Sequence, residues 1–173
     1  MTAEFSETKA AFKKNAETSR NKPDKGNISN PSCTGNIVFG PVPSRRLGYC
    51  LGINNIKPKT CTYDCVYCQV GPTTYRSTCR EICLNPCELF CLVKRKIELL
   101  AEQSIRINYI SFVPTGEPTL DLGLSKVIKL LRQFGYPIAA FTNSSLLWND
   151  NVKEDLLFAD YVSVKVDTVN EAT

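Results

Sequence analysis

Cys61, Cys65 and Cys68 stand together as C-T-Y-D-C-V-Y-C, separated by three and then two residues. Three thiolates at this spacing can reach one metal centre from a single short loop. They are one ligand fewer than a four-iron cluster takes when it is held by protein alone. One iron would then keep an open position, as a catalytic zinc does for its substrate, and an open position suggests chemistry rather than scaffolding. Two other readings stay open. Cys50, the nearest cysteine upstream, would make a fourth ligand for structural zinc, or the three thiols hold no metal. The chain has no histidine, which removes Cys2His2 fingers, histidine-ligated haem and histidine-based triads together. A ferredoxin run is also excluded, because its cysteines follow at two, two and three residues with proline after the last. Here Gln69 follows Cys68.

The residues around the loop carry a resemblance. The stretch FGPVPSRRLGYCLGINNIKPKTCTYDCVYCQVGPTT, from Phe39 to Thr74, resembles the radical S-adenosylmethionine (SAM) enzymes. It is most similar to the subgroup related to tRNA wyosine-base synthases. The resemblance implies that Cys61, Cys65 and Cys68 hold a [4Fe–4S] cluster whose open iron is chelated by the methionine part of SAM. Tyr67 matches the aromatic position beside the SAM adenine. Gly116-Glu117-Pro118-Thr119 matches the later Gly-Glu segment, whose backbone and carboxylate receive the SAM amino group. By the same resemblance, one electron from the reduced cluster breaks a C–S bond of SAM, and the 5′-deoxyadenosyl radical then takes hydrogen from a substrate. An electron donor such as flavodoxin or ferredoxin is implied, and a tRNA base is suggested as substrate. Two alternatives accompany this reading: a structural metal-binding interaction module, or an inactive fragment that keeps only cluster binding.

These residues must be positioned by a fold, and the apolar pattern outlines one. Residues 1–35 are polar and rich in Lys, Asn, Ser and Thr, which predicts a disordered leader with a short helix over 4–18. Residues 36–173 form the predicted core. A strand over 49–53 feeds the cysteine loop. Asn85 and Pro86 predict the start of a helix over 86–103 with a stripe of Leu89, Leu92, Val93, Ile97 and Leu100. A buried strand follows over 107–113, then a helix over 122–134 with Leu124, Val127, Leu130, Leu131 and Phe134 inward and Gly135 as its stop. Strands over 137–142 and 161–166 flank a helix over 151–158. Strand–helix alternation of this kind indicates an α/β protein with a parallel sheet, here the N-terminal part of the partial (β/α)6 TIM-like barrel that the resemblance implies.

Barrel chemistry collects at the C-terminal ends of strands. That rule places the cysteine loop after the first strand, Gly116 and Glu117 after the second, Asn143 and Ser144 after the third, and Asp167 after the fourth. Val162, Val164 and Val166 are expected under helices, with Ser163, Lys165 and Asp167 on the opposite face. Four strand–helix steps with the last helix missing predict a truncated chain, because an uncovered strand exposes hydrogen-bonding groups and apolar surface.

A second set, Cys79, Cys83, Cys87 and Cys91, falls at four-residue intervals and suggests an auxiliary cluster. Helical geometry argues against it. Pro86 starts the helix after the first two, and Cys87 and Cys91 lie opposite the apolar stripe, so surface positions are expected. Arg45, Arg46, Lys57 and Lys59 read as loop charges. The hydrophobic fraction of 43% can support a core, and the net charge of +4 comes without a block of Lys and Arg that would indicate nucleic-acid binding. No apolar run approaches the ~18 residues of a membrane span, so a cytoplasmic setting is expected, in which thiols stay reduced.

Overall fold

The computed structural model describes residues 37–167; the expected leader over 1–35 and its helix lie outside the described residues. The described chain is a mixed α/β fold around a five-stranded sheet. Its strands are β1 (Val38–Ser44), β2 (Gly48–Ile53), β5 (Tyr109–Phe112), β6 (Ile138–Thr142) and β7 (Tyr161–Val164), in that spatial order. The last four run parallel, as the alternation predicts. β1 is an addition that the sequence reading misses. It pairs antiparallel with β2 at the sheet edge, through a register shift between Phe39 and Val42. Gly40, Pro41 and Pro43 interrupt its apolar pattern, and an edge is where a strand tolerates prolines. Arg45 and Arg46 sit exposed in the turn between β1 and β2, in keeping with loop charges.

Three α-helices connect the parallel strands. α1 (Pro86–Glu102) begins where expected: Asn85 caps it by accepting from the Cys87 N–H at 2.9 Å, and Pro86 occupies a position that needs no donor. Leu89, Val93 and Leu100 are its buried residues; Leu92, expected in the same stripe, is exposed. Burial of each of the three contributes about 1.5–3 kcal/mol. α2 (Leu124–Leu131) is shorter than expected and tightens into a 3-10 turn (Arg132–Phe134) before Gly135 takes the left-handed conformation. Ile128, not Leu130, completes its buried face. α3 (Asp150–Leu156) is capped by Asn149.

All three helices pack on one face of the sheet. Leu51, Ile53, Ile110, Phe112, Ile138 and Ala140 meet the buried residues of the helices in one core. The alternate residues Cys50, Tyr109, Ala139, Phe141 and Tyr161 form a smaller cluster on the other face, with Leu47. The expectation for the fourth parallel strand holds in part. Val162 packs against the main core, but Val164 and Val166 are exposed, and the strand ends at Val164. No helix among the described residues is long and apolar enough to cross a membrane.

Candidate active site

The cysteine loop is a lasso whose two ends are tied by a second, two-stranded ladder. β3 (Thr60–Cys61) pairs in parallel with β4 (Tyr75–Arg76), and Ser77 N–H donates to Cys61 O at 3.0 Å. Inside the lasso, Asp64 accepts from Thr73 N–H at 2.7 Å, and the Thr73 hydroxyl donates to Tyr63 O at 2.7 Å. Two tight turns, Cys68 N–H to Cys65 O and Gly71 N–H to Cys68 O, set the second and third cysteines. Local turn chemistry therefore holds Cys65 and Cys68.

Cys61 is held differently, by the ends of the two neighbouring strands. After β5 the chain passes so close to Thr60 that a Cβ on Gly116 would lie 1.7 Å from Thr60 O, so only glycine fits. Glu117 N–H donates to the same Thr60 carbonyl at 3.1 Å. The Glu117 side chain is almost fully buried and has four donors around its carboxylate. Oε1 accepts from Thr119 N–H at 3.1 Å, from the Thr119 hydroxyl at 2.6 Å and from the Thr142 hydroxyl at 2.7 Å. Oε2 accepts from Asn143 N–H at 2.7 Å. A buried carboxylate is tolerable only with such partners. Glu117 thus joins the end of β5 to the end of β6 and caps the 3-10 turn Pro118–Leu120. Arg80 supports that turn from outside through Thr119 O, Asp121 O and an ion pair with Asp155, and the Asn55 amide donates to Pro118 O.

From β6, the Asn143 amide nitrogen reaches Thr62 Oγ1 at 2.8 Å and Cys61 Sγ at 3.5 Å. Ser144 takes the left-handed conformation, and its hydroxyl donates to Lys165 O at 2.8 Å. The chain beyond β7 delivers a third group. The Tyr67 hydroxyl donates to Asp167 at 2.5 Å, Lys165 Nζ lies 3.9 Å from the Tyr67 ring centroid, and Lys165 pairs with Asp167 at 3.4 Å. This hydrogen bond raises the Tyr67 pKa and lowers that of Asp167, while the contact with Tyr67 holds the Lys165 ammonium charged. Lys165 and Asp167 thus form a partly solvated pair, with Lys165 also facing the cavity.

These elements enclose a cavity of about 380 Å³, within the range of small-ligand sites. Cys61, Cys65, Cys68, Tyr67, Gly116, Glu117 and Asn143 all line it, with Tyr63, Val70, Phe141 and Lys165 among the remaining walls. Seven of the nine residues expected from sequence therefore meet at one place. Ser144 and Asp167 are not wall residues; Ser144 shapes the loop, and Asp167 holds Tyr67 from the rim. Sequence reading missed Thr60, Thr62, Thr142 and Ser145. Thr142 and Ser145 flank the expected Asn143-Ser144 pair, so the polar run at a strand end was the available signal.

The other described cysteines lie apart from this cavity. Cys50, the candidate fourth zinc ligand, is buried in the smaller cluster with Leu47 and Ala139, its thiol directed at Gly48 O. Burial raises its pKa, which disfavours the thiolate a metal would need. Cys79, Cys87 and Cys91 are exposed, as expected. Cys83 is half-buried and its pKa is pushed up to about 11 by desolvation. Among the described residues no three Cys, Asp or Glu side chains converge closely enough to hold a single metal ion. A four-iron cluster asks for less convergence, because each cysteine binds its own iron.

No family model matches the sequence. The chain is similar to UPF0026 protein MJ1312 of Methanocaldococcus jannaschii, 52% identical over 135 residues, which are 78% of this chain and 41% of that protein. It is similar also to GTPase Obg of Brachyspira hyodysenteriae, 40% identical over 137 residues, 79% of this chain and 20% of that protein. The chain thus spans less than half the length of either relative. A solved structure of TYW1 with a lysine–pyruvate adduct bound matches 61% of this chain and 38% of that one, at 19% identity and a TM-score of 0.42.

Proposed function

We propose that residues 36–173 are the cluster- and SAM-binding core of a radical SAM enzyme, with Cys61, Cys65 and Cys68 as ligands of a [4Fe–4S] cluster. The observation that carries this reading is the single cavity lined by all three cysteines and by Gly116, Glu117 and Asn143 from the next two strand ends. The donor set suits the group: three soft thiolates and no imidazole. A run of parallel strands whose helices all pack on one face supports the wall of a partial (β/α)6 barrel. The four parallel strands would be its first part.

When bound, the cluster and SAM supply the reductive cleavage that makes a 5′-deoxyadenosyl radical. The chain's own residues bind and orient. Gly116 lets the wall approach Cys61 closely, and its backbone faces the cavity where the SAM amino group would lie. Glu117 Oε2 carries one donor and keeps acceptor capacity for that ammonium group. Tyr67 offers a ring face for the adenine, with Lys165 on its ring and Asp167 on its hydroxyl fixing its angle. Phe141, Val70 and Tyr63 help exclude water. Ser144 keeps the β6 loop in its turn. The electron would come from a donor such as flavodoxin or ferredoxin, and the substrate we propose is a tRNA base.

Anaerobic reconstitution tests the reading. The expected protein is brown, absorbs near about 400 nm and holds about four irons per chain. It releases 5′-deoxyadenosine from SAM when reduced. Replacing Cys61, Cys65 or Cys68 by Ala should remove that product. A colourless protein carrying zinc, or a C65A protein that makes 5′-deoxyadenosine at the unaltered rate, would falsify the assignment.

A further inference from the structure

We propose that Asn143 is a positioning residue that donates an N–H to the Cys61 thiolate and thereby sets how readily a cluster held there is reduced. The proposal rests on the cluster reading above. Its basis is that the amide has only one workable orientation. Asn143 Oδ1 accepts from Ser145 N–H at 3.0 Å, which turns Nδ2 towards the cysteine loop. One amide proton then goes to Thr62 Oγ1 at 2.8 Å and the other towards Cys61 Sγ at 3.5 Å, a normal reach for the larger sulfur atom. Turning the amide over would set a carbonyl oxygen against the sulfur and an N–H against the Ser145 N–H, two repulsions for two bonds.

The surroundings reinforce this orientation. The left-handed Ser144, with φ of 70°, curls the chain so that Ser145 N–H meets the Asn143 side chain. The Ser145 and Thr62 hydroxyls share a 2.6 Å hydrogen bond, which closes a ring through Asn143. Asn143 N–H is itself anchored on Glu117 Oε2. A donor locked by a ring of partners cannot relax away when negative charge grows on the sulfur. Hydrogen bonds to ligand sulfurs favour the reduced, more negative cluster, and partners behind the ligands tune a centre as the ligands themselves do. Asn143 would act through Cys61 rather than by touching substrate.

The test uses the full chain, reconstituted anaerobically, with iron counted and the one-electron midpoint followed by electron paramagnetic resonance during a redox titration. Asn143→Ala and Asn143→Asp are compared with the unaltered protein, and thermal melts check folding. Both variants should keep about four irons and become about tenfold harder to reduce, a downward shift of about 59 mV for a one-electron couple. Asn143→Asp should shift further, because it replaces a donor with negative charge. An unchanged midpoint in both iron-loaded variants overturns the role of Asn143 and leaves the cluster reading standing. Loss of iron from both folded variants overturns it too, in favour of cluster retention. Unaltered protein that takes up no cluster overturns the cluster reading, and the role of Asn143 with it.

Discussion

The two sides of the cavity are made from similar groups at different depths. On one side Glu117, Thr119 and Thr142 form a buried hydrogen-bonded set around a single carboxylate, joined by the half-buried Asn143 and closed against Thr60 by a glycine that admits no side chain. On the other, Tyr67, Lys165 and Asp167 form an ion pair, a cation–ring contact and a hydrogen bond that stay half in water. Electrostatic contacts at the buried side act in a low dielectric and cannot be exchanged for water, whereas those at the exposed side compete with solvent. The difference suggests a division of labour. The buried side fixes Cys61 before any ligand arrives, and the exposed side can rearrange around one.

Gly116→Ala should break the buried side most severely. The added methyl would meet Thr60 O at 1.7 Å, far inside any contact distance, so either the β5 end or the cysteine loop must move. Overpacking of this kind against backbone should cost about 3 kcal/mol or more, read as a large drop in melting temperature. A variant that melts within a degree of the unaltered protein would mean the loop has slack that the close approach denies.

Glu117→Gln is the next largest test. The swap turns one acceptor oxygen into an NH2 group among four donors, so at least one buried donor loses its partner. About 2–3 kcal/mol should be lost. Cluster retention should fall with it, because Glu117 anchors the strand ends that hold Cys61. If the variant is as stable as the parent, the carboxylate is not the tie that its hydrogen bonds describe.

On the exposed side, Tyr67→Leu should leave the melting temperature almost unchanged. SAM binding to the reconstituted protein should nevertheless weaken by about tenfold, the loss expected for one ring-stacking contact. Equal losses of stability in Tyr67→Leu and Glu117→Gln would erase the contrast between the two sides.

How much of this was legible in the sequence differs between the sides in a physical way. Spacing alone brought Cys61, Cys65 and Cys68 together, and Asn85-Pro86 marked the start of α1, because these are local signals carried by neighbouring residues. The tie that Glu117 makes between the ends of β5 and β6 was not legible. Glu117 reads as a ligand-binding carboxylate, and its occupation by Thr119, Thr142 and Asn143 follows only from β5 and β6 ending side by side. Nor does the cysteine spacing distinguish Cys61, tied to the ends of two neighbouring strands, from Cys65 and Cys68, tied to turns. β1 was missed for the opposite reason: Gly40, Pro41 and Pro43 are local signals against a strand, overridden by pairing with β2. At the exposed side, the Val164 and Val166 alternation was a real pattern, but no helix among the described residues covers those valines.

The smallest effect isolates the exposed contact itself. Asp167 has a pKa below the ordinary carboxylate value because it accepts from the Tyr67 hydroxyl, so its contribution is present above about pH 4 and lost as pH falls through the lowered folded value. Tyr67 has a raised pKa for the same reason, so its contribution is present below about pH 10 and lost as pH rises through the raised folded value. Between those limits the pair holds the ring. Asp167→Asn removes the charged acceptor and should bring the Tyr67 titration back down towards the ordinary phenol range, followed by the ring signals of Tyr67 in a magnetic-resonance titration. The melting temperature near neutral pH should barely move, since both groups are solvated and exposed pairs contribute little. A Tyr67 titration that stays put after Asp167→Asn would place the cause in desolvation of the phenol, since the neighbouring Lys165 cation acts in the opposite direction. A large fall in melting temperature would instead mean that this side is as firmly built as the one around Glu117.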